Sequence, residues 1–547
     1  MFNFTCRIHV SAKELHRNCL TRPRDRHSLA RYCTEQFSFV NTRISCATSP
    51  SRNLQRLLAV ALAGAFGLAA TSCTVGPDFH PPAAPNDTGY LATHVSTNGT
   101  TTPALAQQPA IRHDWYALYD NAALNHLVGQ ALAANPTRAA AEQRVAAARE
   151  VVNVVYGGRY PSLGAGAGIK RSRASGLSFG ATDPLFVNTF NLYQAQLTAA
   201  YDLDIFGELT RRIENAQALA ALAHDRQLDA EATLVANIVA TAFAEGGART
   251  TRTALETIAA RQRSTVALIE DQERLGAALE TDVLRARGQL ADTEALIPDY
   301  DQQIAVARHR LAILTGVTPA QYAGPRFTLD AFTLPATLPL TLPSQLVAQR
   351  PDIRAARDLL HAASAQVGVA TAEMLPKLQL TAGYSRSALR PNAFGGPLAE
   401  MYNVGAGLAA PLFEGGRLRA QKRQAQAEYR AAAQDYRATV LTAFDEVADA
   451  LRALDNDAVR RAARQRSRAA AQASARLIDL QFRAGSADLL SSYLAQIELT
   501  QAEIGYAASR LSQLADSALL MRALGGGRLP AASVDALPDT PSPARNP

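Results

Sequence analysis

The chain has 547 residues and a formal net charge of +7 at pH 7, from 55 basic and 48 acidic residues. Ten of the basic residues but only three of the acidic ones lie in residues 1–72, so the sequence from Cys73 onward is balanced, with 45 of each sign. A nucleic-acid-binding body needs clustered basic charge. The balance therefore argues against nucleic acid as a partner, and the basic character belongs to the N-terminal leader.

The placement of cysteine and histidine excludes several kinds of site. Four cysteines lie in the leader, the fifth is Cys73, and none follows it, so the mature chain has no pair for an internal disulfide or a thiolate metal site. The later histidines lack metal-ligand spacing, and there is no phosphate loop, dinucleotide-binding glycine loop or nucleophile elbow. We therefore expect no catalytic residue, no metal and no cofactor, and predict that the protein is not an enzyme.

Residues before Cys73 have the pattern of an export signal. Arg52 and Arg56 precede an apolar run of 14 residues, 57–70, which suits a signal-peptide core and is too short for a membrane span. Small residues then lead to Cys73 in a pattern that resembles a lipobox. We predict that Cys73 is the lipidated N-terminus of the mature protein. The alternative is an ordinary signal peptide in which this cysteine is incidental.

The body of the chain is an internal duplication. Residues 136–172 align without gaps to 351–387, and the copies share two prolines and a glycine as well as alanines. Self-similarity at a fixed offset is typical of repeated structural units. The predicted segments are an unstructured or wrongly assigned upstream extension (1–51), a lipoprotein signal peptide (52–72), a lipidated Pro-rich N-terminal segment (73–112), a first repeat (113–316), a linker (317–343), a second repeat (344–526) and a disordered tail (527–547).

Each repeat has the same predicted order of elements: a helix, a strand, a loop, a strand and two long helices. Apolar and polar residues alternate in four segments of about ten residues, which suits the wall of a transmembrane barrel. A half-buried sheet of a soluble protein alternates in the same way, so that alternative stays open. The alternating segments are 161–170, 193–203, 378–385 and 402–410, and the loops 173–189 and 387–400 are expected outside the cell.

Coiled-coil spacing marks the helices. From Val283 to Leu311 apolar residues recur every seven positions, and a second row of small or mixed residues lies three positions further on. We predict one helical run over 249–315 that only Pro298 interrupts. Such a run would reach roughly 100 Å and project well beyond a bilayer core of about 30 Å.

Four strands per chain are too few for a membrane barrel. The smallest such barrels need about eight strands, and an open sheet edge is not tolerated in lipid. If the strands are transmembrane, several copies of the chain must share one barrel. The strand count thus predicts an oligomer.

Several motifs resemble those of the outer-membrane efflux proteins, the TolC/OprM-like channels, and in particular their lipoprotein branch, the NodT type. The block Arg-Pro-Asp-Ile-Arg-Ala-Ala at 350–356 is the most specific of them. The other matching stretches are 73–79, 115–120, 201–207, 367–370 and 445–451, and the resemblance covers residues 73 to about 526.

The resemblance implies a fold and an assembly. The fold is an α+β membrane protein with four transmembrane strands and long helices per chain. Three chains would form a twelve-stranded β-barrel in the outer membrane, joined to a twelve-helix tube in the periplasm. The implied partners are a periplasmic adaptor and an inner-membrane transporter of the resistance-nodulation-division type. The implied function is passive export of drugs or other small toxic compounds through a lipid-anchored outer-membrane channel.

A gate is also expected from the resemblance. The repeat alignment places the ends of the helical hairpins at about 245–248 and 453–456, and two glycines at the first predict a local break there. In channels of this kind an acidic constriction, partly salt-linked to Arg, narrows the periplasmic end. The candidate gate residues are Asp449, Arg452, Asp455 and Asp457. The alternative is a solvated charge cluster without a role in gating.

Two alternative functions remain open at this stage. A periplasmic adaptor or coiled-coil scaffold lipoprotein would also be exported, lipidated and helical. A TolC-like channel for type I protein secretion would share the whole architecture. The duplicated strand pairs argue against the adaptor, and the lipobox together with the block at 350–356 favours the drug-efflux branch.

Overall fold

The structure, a computed structural model, describes residues 74–83, 87, 89–91, 103–108, 111–174 and 188–526. Cys73 and the predicted tail 527–547 lie outside the described residues. In chain order, the strands and helices are β1 (Ala104–Gln107), α1 (Ala122–Ala134), α2 (Pro136–Tyr156), β2 (Ser162–Ala174), β3 (Asn188–Leu203), α3 (Glu208–Arg274), α4 (Glu280–Leu314), β4 (Thr337–Leu340), α5 (Pro343–Gln349), α6 (Pro351–Ala372), β5 (Lys377–Ala388), β6 (Glu400–Ala409), α7 (Arg417–Arg483) and α8 (Leu489–Ala523).

Two helices of 67 residues, α3 and α7, run the length of the helical region, and each is about 100 Å long. Each follows a glycine in the left-handed conformation, Gly207 with φ 76° and Gly416 with φ 86°. Because a side chain disfavours that conformation, glycine suits the sharp change of direction from strand to helix. Helices α4 and α8, with 35 residues each, return antiparallel to them.

The predicted single helix over 249–315 is wrong. α3 ends at Arg274 and α4 begins at Glu280. Gly276 takes a φ of 76°, and the N–H of Ala277 donates to the carbonyl of Gln272 at 2.7 Å. This is a helix ending of the Schellman type, which satisfies a terminal carbonyl. The coiled-coil stripe within α4 is confirmed, because Val283, Ile304 and Leu311 are buried and the other residues of the two rows are buried or half-buried.

The two repeats have the same architecture. The order α2, β2, β3, α3, α4 recurs as α6, β5, β6, α7, α8. In both repeats, the C-terminal end of the last helix (α4 or α8) contacts the N-terminal end of the repeat's first helix (α2 or α6). The amide of Asn135, which caps α2, donates to Leu314 O at 2.9 Å, and the Arg350 guanidinium, just before α6, donates to Ala523 O at 2.9 Å.

The helices form a layer whose order differs between its two halves. Near the strands the neighbouring helices are α2, α3, α6 and α7, in that order. Beyond the middle, α4 takes the place of α2 and α8 that of α6, so the order becomes α4, α3, α8, α7. α7 is therefore an edge along its whole length, and α2 and α4 form the opposite edge.

The strands of both repeats form one antiparallel sheet in the order β2, β3, β5, β6. The central pair places Leu197 opposite Tyr384, and β2 and β6 are the outer strands. Large apolar side chains on the strands are exposed, for example Leu163 at 75% and Val404 at 82%. Of the two loops expected outside the cell, 387–400 contains two short 3₁₀ turns, whereas most of 173–189 lies outside the described residues.

The hydrophobic core lies around the middle of the long helices, and the predicted linker belongs to it. Strand β4 pairs in parallel with β1 of the N-terminal segment. Phe327, Leu329 and Leu338 of the linker are fully buried against a core that includes Trp115 and Phe243. Burial of such side chains stabilises a fold by about 1.5–3 kcal/mol each. The linker 317–343 is thus packed against the helices and is not a flexible connection.

Among the described residues, no helix combines the length and the apolar composition that a membrane span requires.

Candidate channel surfaces and constriction residues

The ends of the helical hairpins lie farther along the chain than predicted. The first turn is formed by residues 275–279, between α3 and α4, and the second by 484–488, between α7 and α8. Positions 245–248 and 453–456 are inside continuous helices. The repeat itself held the signal for the correct turns, because Gly276 and Gly485 occupy equivalent positions and both take a positive φ.

Gly246 and Gly247 do not break α3. A Cβ on Gly246 would lie 3.1 Å from the Thr328 carbonyl carbon, and one on Gly247 would lie 2.9 Å from a Leu511 methyl group. These glycines let the linker and α8 approach the helix closely. The predicted break is therefore wrong, since the packing around the site stabilises the helix against the cost of glycine, about 1 kcal/mol per residue.

Three of the four candidate gate residues lie on the surface or near it at mid-height. Asp449 and Arg452 are exposed, and Asp455 is half-buried. Arg452 pairs with Asp455 at 3.9 Å rather than with Asp449, a loose contact of the kind that contributes little. Burial raises the pKa of the Asp455 carboxyl, which the charge of Arg452 partly opposes. All three lie about 45 Å along the helix from the hairpin turn.

Asp457, the fourth candidate, is fully buried between α7 and α8. It forms an ion pair with Arg460 and accepts a hydrogen bond from Ser512 Oγ at 3.2 Å. Its second carboxylate oxygen has no hydrogen-bond partner among the described residues. Asp457 thus ties two helices of one chain together, and its side chain is not at the surface of a lumen.

A second buried carboxylate at mid-height escaped the sequence analysis. Glu245 is fully buried and pairs with Arg249 at 2.7 Å and with Arg308 at 3.3 Å. Arg308 also donates to Pro325 O at 3.2 Å, and its guanidinium lies 5.2 Å from the centre of the Tyr322 ring. The cluster joins α3, α4 and the linker. Its sequence signal was present but was interpreted as a break, since Glu245 directly precedes the two glycines.

Residues 74–80, which we call the N-terminal strap, lie against the strand-proximal end of α3. The N–H of Val75 donates to Phe206 O at 3.1 Å. Buried Arg211 donates to Val75 O at 3.2 Å and to the carboxylates of Asp78 and Glu214, each at 2.7 Å. The hydrogen bond and charge of Arg211 lower the pKa of Asp78. Arg211 therefore fixes the strap to the junction between β3 and α3.

Stacking holds the far end of the strap. The Phe79 ring stacks on His361 of α6 with 4.4 Å between centroids, and His361 Nε2 lies 2.8 Å from Glu214 Oε1. Gly76 and Gly368 bring the backbones of the strap and α6 into contact, because a Cβ on Gly76 would lie 2.4 Å from Gly368 Cα. The strap thus joins the first and second repeats.

The sequence motif at 350–356, the most specific of the matching motifs, holds helix ends together. Arg350 is buried, donates to Asp352 Oδ1 at 2.8 Å and forms an ion pair with Glu446 of α7. Through its bond to Ala523 O, it also caps the last turn of α8. One guanidinium thereby fixes the point where α6, α7 and α8 meet.

A buried acidic group also lies between α3 and α6. Arg354 Nη2 is 2.6 Å from Asp225 Oδ1 in an ion pair, and neither oxygen of the buried carboxylate accepts a hydrogen bond from the described residues. Burial raises the pKa of Asp225 to about 6 despite Arg354, and nearby Asp358 acts in the same direction. Asp225 thus titrates near neutral pH.

The arrangement is a layer of long helices joined by buried charges. Within the residues that the structure describes, no group of three or more His, Cys, Asp or Glu side chains is placed to hold a metal ion. The features shared by the two repeats are long antiparallel helices and one sheet with two free edges.

Comparisons with known proteins agree with this architecture. The chain is 30% identical over 496 residues to the pyoverdine export outer membrane protein OpmQ of Pseudomonas aeruginosa, covering 87% of this chain and 97% of the relative. It is 28% identical to nodulation protein T of Rhizobium leguminosarum, covering 85% and 93%. The solved outer-membrane channel OprN aligns with a TM-score of 0.76 at 29% identity, over 83% of this chain and 99% of that one.

The family model described as outer membrane efflux protein matches residues 127–317 and 342–526, which together make more than half of the chain. The two matched stretches contain the two structural repeats. The resemblance drawn from the sequence is confirmed. The chain belongs to the outer membrane efflux protein family.

Proposed function

We propose that this outer-membrane efflux channel works as a trimer and is the exit duct of a tripartite pump. One observation carries the proposal: a four-stranded sheet with two free edges lies at one end of helices about 100 Å long. A free edge cannot face lipid. Three copies would supply twelve strands for one closed barrel, and their long helices would continue it as a tube into the periplasm.

The proposed partners are a periplasmic adaptor and an inner-membrane transporter of the resistance-nodulation-division type. The chain would conduct drugs or other small toxic compounds passively. The relatives support export of small cargo, since one is described as a pyoverdine export protein and another, CusC of Escherichia coli, as a cation efflux system protein. Protein secretion is the alternative within this architecture, and a periplasmic adaptor or coiled-coil scaffold lipoprotein is the alternative outside it.

We also propose that Cys73 carries the lipid anchor after removal of residues 52–72. The position of the strap supports this, because Thr74 packs against Gly207 at the junction of strands and helices. A chain anchored there would have its lipid close to the barrel. A single acyl chain binds membranes only marginally, and several bind stably. Mass spectrometry of the mature N-terminus should find diacylglycerol on Cys73, and a chain that starts at another residue would contradict the anchor.

We propose that the constriction lies at mid-height of the long helices rather than at the hairpin ends. Of the four candidates, Asp449 and Arg452 are exposed on an edge helix and could meet a neighbouring copy. Like charges gathered by a three-fold axis attract cations into a pore. Replacing both residues with Ala should raise single-channel conductance and weaken cation selectivity in planar bilayers. If both properties stay unchanged, these residues are not part of the constriction.

The function as a whole is tested by location and conductance. Membranes from cells that produce the protein should contain it in the outer-membrane fraction, as a species that SDS dissociates to monomers only on heating. The purified species should form ion-conducting channels in planar bilayers. Recovery with the inner membrane, without conductance, would instead indicate an adaptor. Accumulation of a fluorescent dye should rise when the gene is deleted, which secretion of proteins alone would not explain.

A further inference from the structure

A groove of about 580 Å³ lies at mid-height between α3, α4 and α8. Its floor is made by small residues of α3 and α8, among them Ala244, Gly247 and Ala508. A Cβ on Gly247 would lie 2.9 Å from a Leu511 methyl group, so glycine lets α8 close one side of the groove. Val306 of α4, 53% exposed, forms part of the opposite wall. The groove is thus an apolar slot with a flat floor and larger side chains at its walls.

The groove and the linker lie on opposite faces of α3. Gly246 faces the linker, where a Cβ would lie 3.1 Å from the Thr328 carbonyl carbon. Ala240 and Ala244 of the groove point roughly 120–160° around the helix from Gly246, because each residue turns a helix by about 100°. The layer of helices therefore has one face that the linker covers and one face that carries the groove.

In the proposed tube the groove faces the bore. Twelve helices with axes about 10 Å apart enclose a bore roughly 28 Å wide. Three linkers, with the residues that pack around them, would fill such a bore, so the linker face lies outside. The helices that line the groove agree with this orientation. α4 and α8 are both neighbours of α3 and line the groove together, as neighbouring helices do on the inner side of a tube.

The charge of the groove favours an anion. Among the described residues that line it, Arg310 is the only charged one. Arg310 is exposed and has no ion-pair partner within the described part of the chain. On each of the three helices the acidic residue nearest in height has another partner, namely Glu245 with Arg308, Asp301 with Arg252, and Asp516 with Ser512. The Arg310 guanidinium is therefore available to a ligand.

Neutral polar groups complete the rim of the groove, among them the amides of Asn237 and Gln303 and the phenol of Tyr300. Such groups can donate to or accept from substituents on a ring, and a guanidinium forms charge-assisted hydrogen bonds with an acidic group. The flat floor of small residues suits the face of an aromatic ring, whose removal from water favours binding. Together these features fit an aromatic compound that carries an acidic group.

We propose that the groove binds anionic aromatic compounds on their way through the channel, with the ring on the floor formed by Ala244 and Gly247 and the acidic group beside Arg310. This inference rests on the proposed function and names a chemical class of its cargo. A site on an export path has to bind weakly enough for release. A groove with an exposed arginine meets that requirement.

Two probes that share a naphthalene ring and carry opposite charges test the role of Arg310. In calorimetric titrations of the purified protein in nanodiscs, with empty nanodiscs as the blank, 1-naphthalenesulfonate should bind at least about fivefold more tightly than 1-naphthylmethylammonium. Arg310→Gln should remove this preference. Arg261→Gln is the matched control and should keep the preference, because Arg261 is an exposed arginine of α3 outside the groove. Equal binding of both probes to the unaltered protein, or the same loss in both variants, would overturn the inference.

Filling the slot tests the floor independently. Ala244→Leu places a larger side chain on the floor and should raise the dissociation constant of the sulfonate about fivefold or more. Ala260→Leu, at an exposed position of α3 outside the groove, should leave it unchanged. Leucine is a good helix former, so thermal melting should show that both variants are folded. If Ala244→Leu binds the sulfonate as tightly as the unaltered protein, the ring does not lie on this floor and the inference fails.

Conductance separates this inference from the proposed function. If the unaltered protein conducts ions in planar bilayers but binds the two probes equally, the groove is not an anion site and the proposed channel stands. If it binds the sulfonate as expected but does not conduct, the proposed channel fails and the compound is not its cargo.

Discussion

The two repeats have the same elements but use them differently at mid-height. Each long helix has one fully buried carboxylate there, Glu245 in α3 and Asp457 in α7, within one turn of equivalent positions. Glu245 faces two arginines and the linker, whereas Asp457 faces one half-exposed arginine and a serine. The linker that packs over Glu245 occurs once per chain, because a single linker joins the two repeats.

The junctions between strands and helices differ for the same reason. In the first repeat the strap covers the residues just before α3, and buried Arg211 holds it. In the second repeat Leu412 and Phe413 are 95% and 89% exposed. A duplicated sequence therefore keeps its local structure, while each segment that occurs only once makes the packing asymmetric.

The largest expected effect comes from removing the arginine that holds the strap. Arg211→Ala removes a buried side chain and leaves half-buried Glu214 and Val75 O without this partner, and should cost about 3 kcal/mol of unfolding free energy. Thermal unfolding in detergent and chymotrypsin cleavage after Phe79 of the strap would measure it. Arg419→Ala is the matched control, because Arg419 is an exposed arginine at the start of α7. Equal losses in the two variants would contradict the asymmetry.

The mid-height carboxylates provide the next comparison. Glu245→Gln removes a buried charge from two arginines and should destabilise by about 2 kcal/mol, whereas Asp457→Asn should cost about 1 kcal/mol. Both substitutions keep the side-chain volume, so the difference reports charge. Chemical denaturation monitored by circular dichroism would give both values. A larger loss of unfolding free energy for Asp457→Asn would show that the Glu245 cluster is not the more stabilising of the two.

Asp225 should make stability depend on pH. Its ordinary pKa of 3.8 is raised to about 6 by burial in the folded protein. The folded state therefore binds this proton more readily than the unfolded state, and the resulting stabilisation is lost as pH rises through about 6. Between pH 7 and pH 5 the unaltered protein should gain about 1 kcal/mol relative to Asp225→Asn. Parallel pH dependences in the two proteins would show that Asp225 does not titrate in this range.

The smallest effect is expected at the uncovered junction. Phe206 and Phe413 stand at matching places in the two repeats, but Phe206 is half-buried and Phe413 exposed. Phe413→Ser should change the unfolding free energy of the detergent-solubilised chain by less than about 0.5 kcal/mol. Phe206→Ser should cost about 1 kcal/mol or more. Thermal melting of both variants would measure the difference. A larger decrease in melting temperature for Phe413→Ser would mean that the junction of the second repeat is also covered.

Much of the fold was predictable from local pattern. Alternation in 193–203 and 378–385 located two strands, and the heptad from Val283 to Leu311 identified the buried stripe of α4. The helix ends were not predictable in the same way. The glycines at 246–247 and Gly276 look equally disruptive in sequence, but only Gly276 lacks a packed neighbour and takes a positive φ.

The candidate site shows the same limit. The acidic residues 449, 455 and 457 were found by composition and by resemblance, but their burial depends on α8, which lies more than thirty residues away in the chain. Glu245 was missed because the two glycines after it were interpreted as a helix break, and only the tertiary structure shows that two arginines and a linker enclose it.

The sequence by itself determined the duplication, the order of elements in each repeat and the family, because periodicity and motifs are properties of neighbouring residues. The tertiary structure alone decided where the hairpins turn, which charges are buried and which helices form the edges. Those properties depend on contacts between segments far apart in the chain. A buried carboxylate such as Asp457 and an exposed one such as Asp449 differ only in what packs against them.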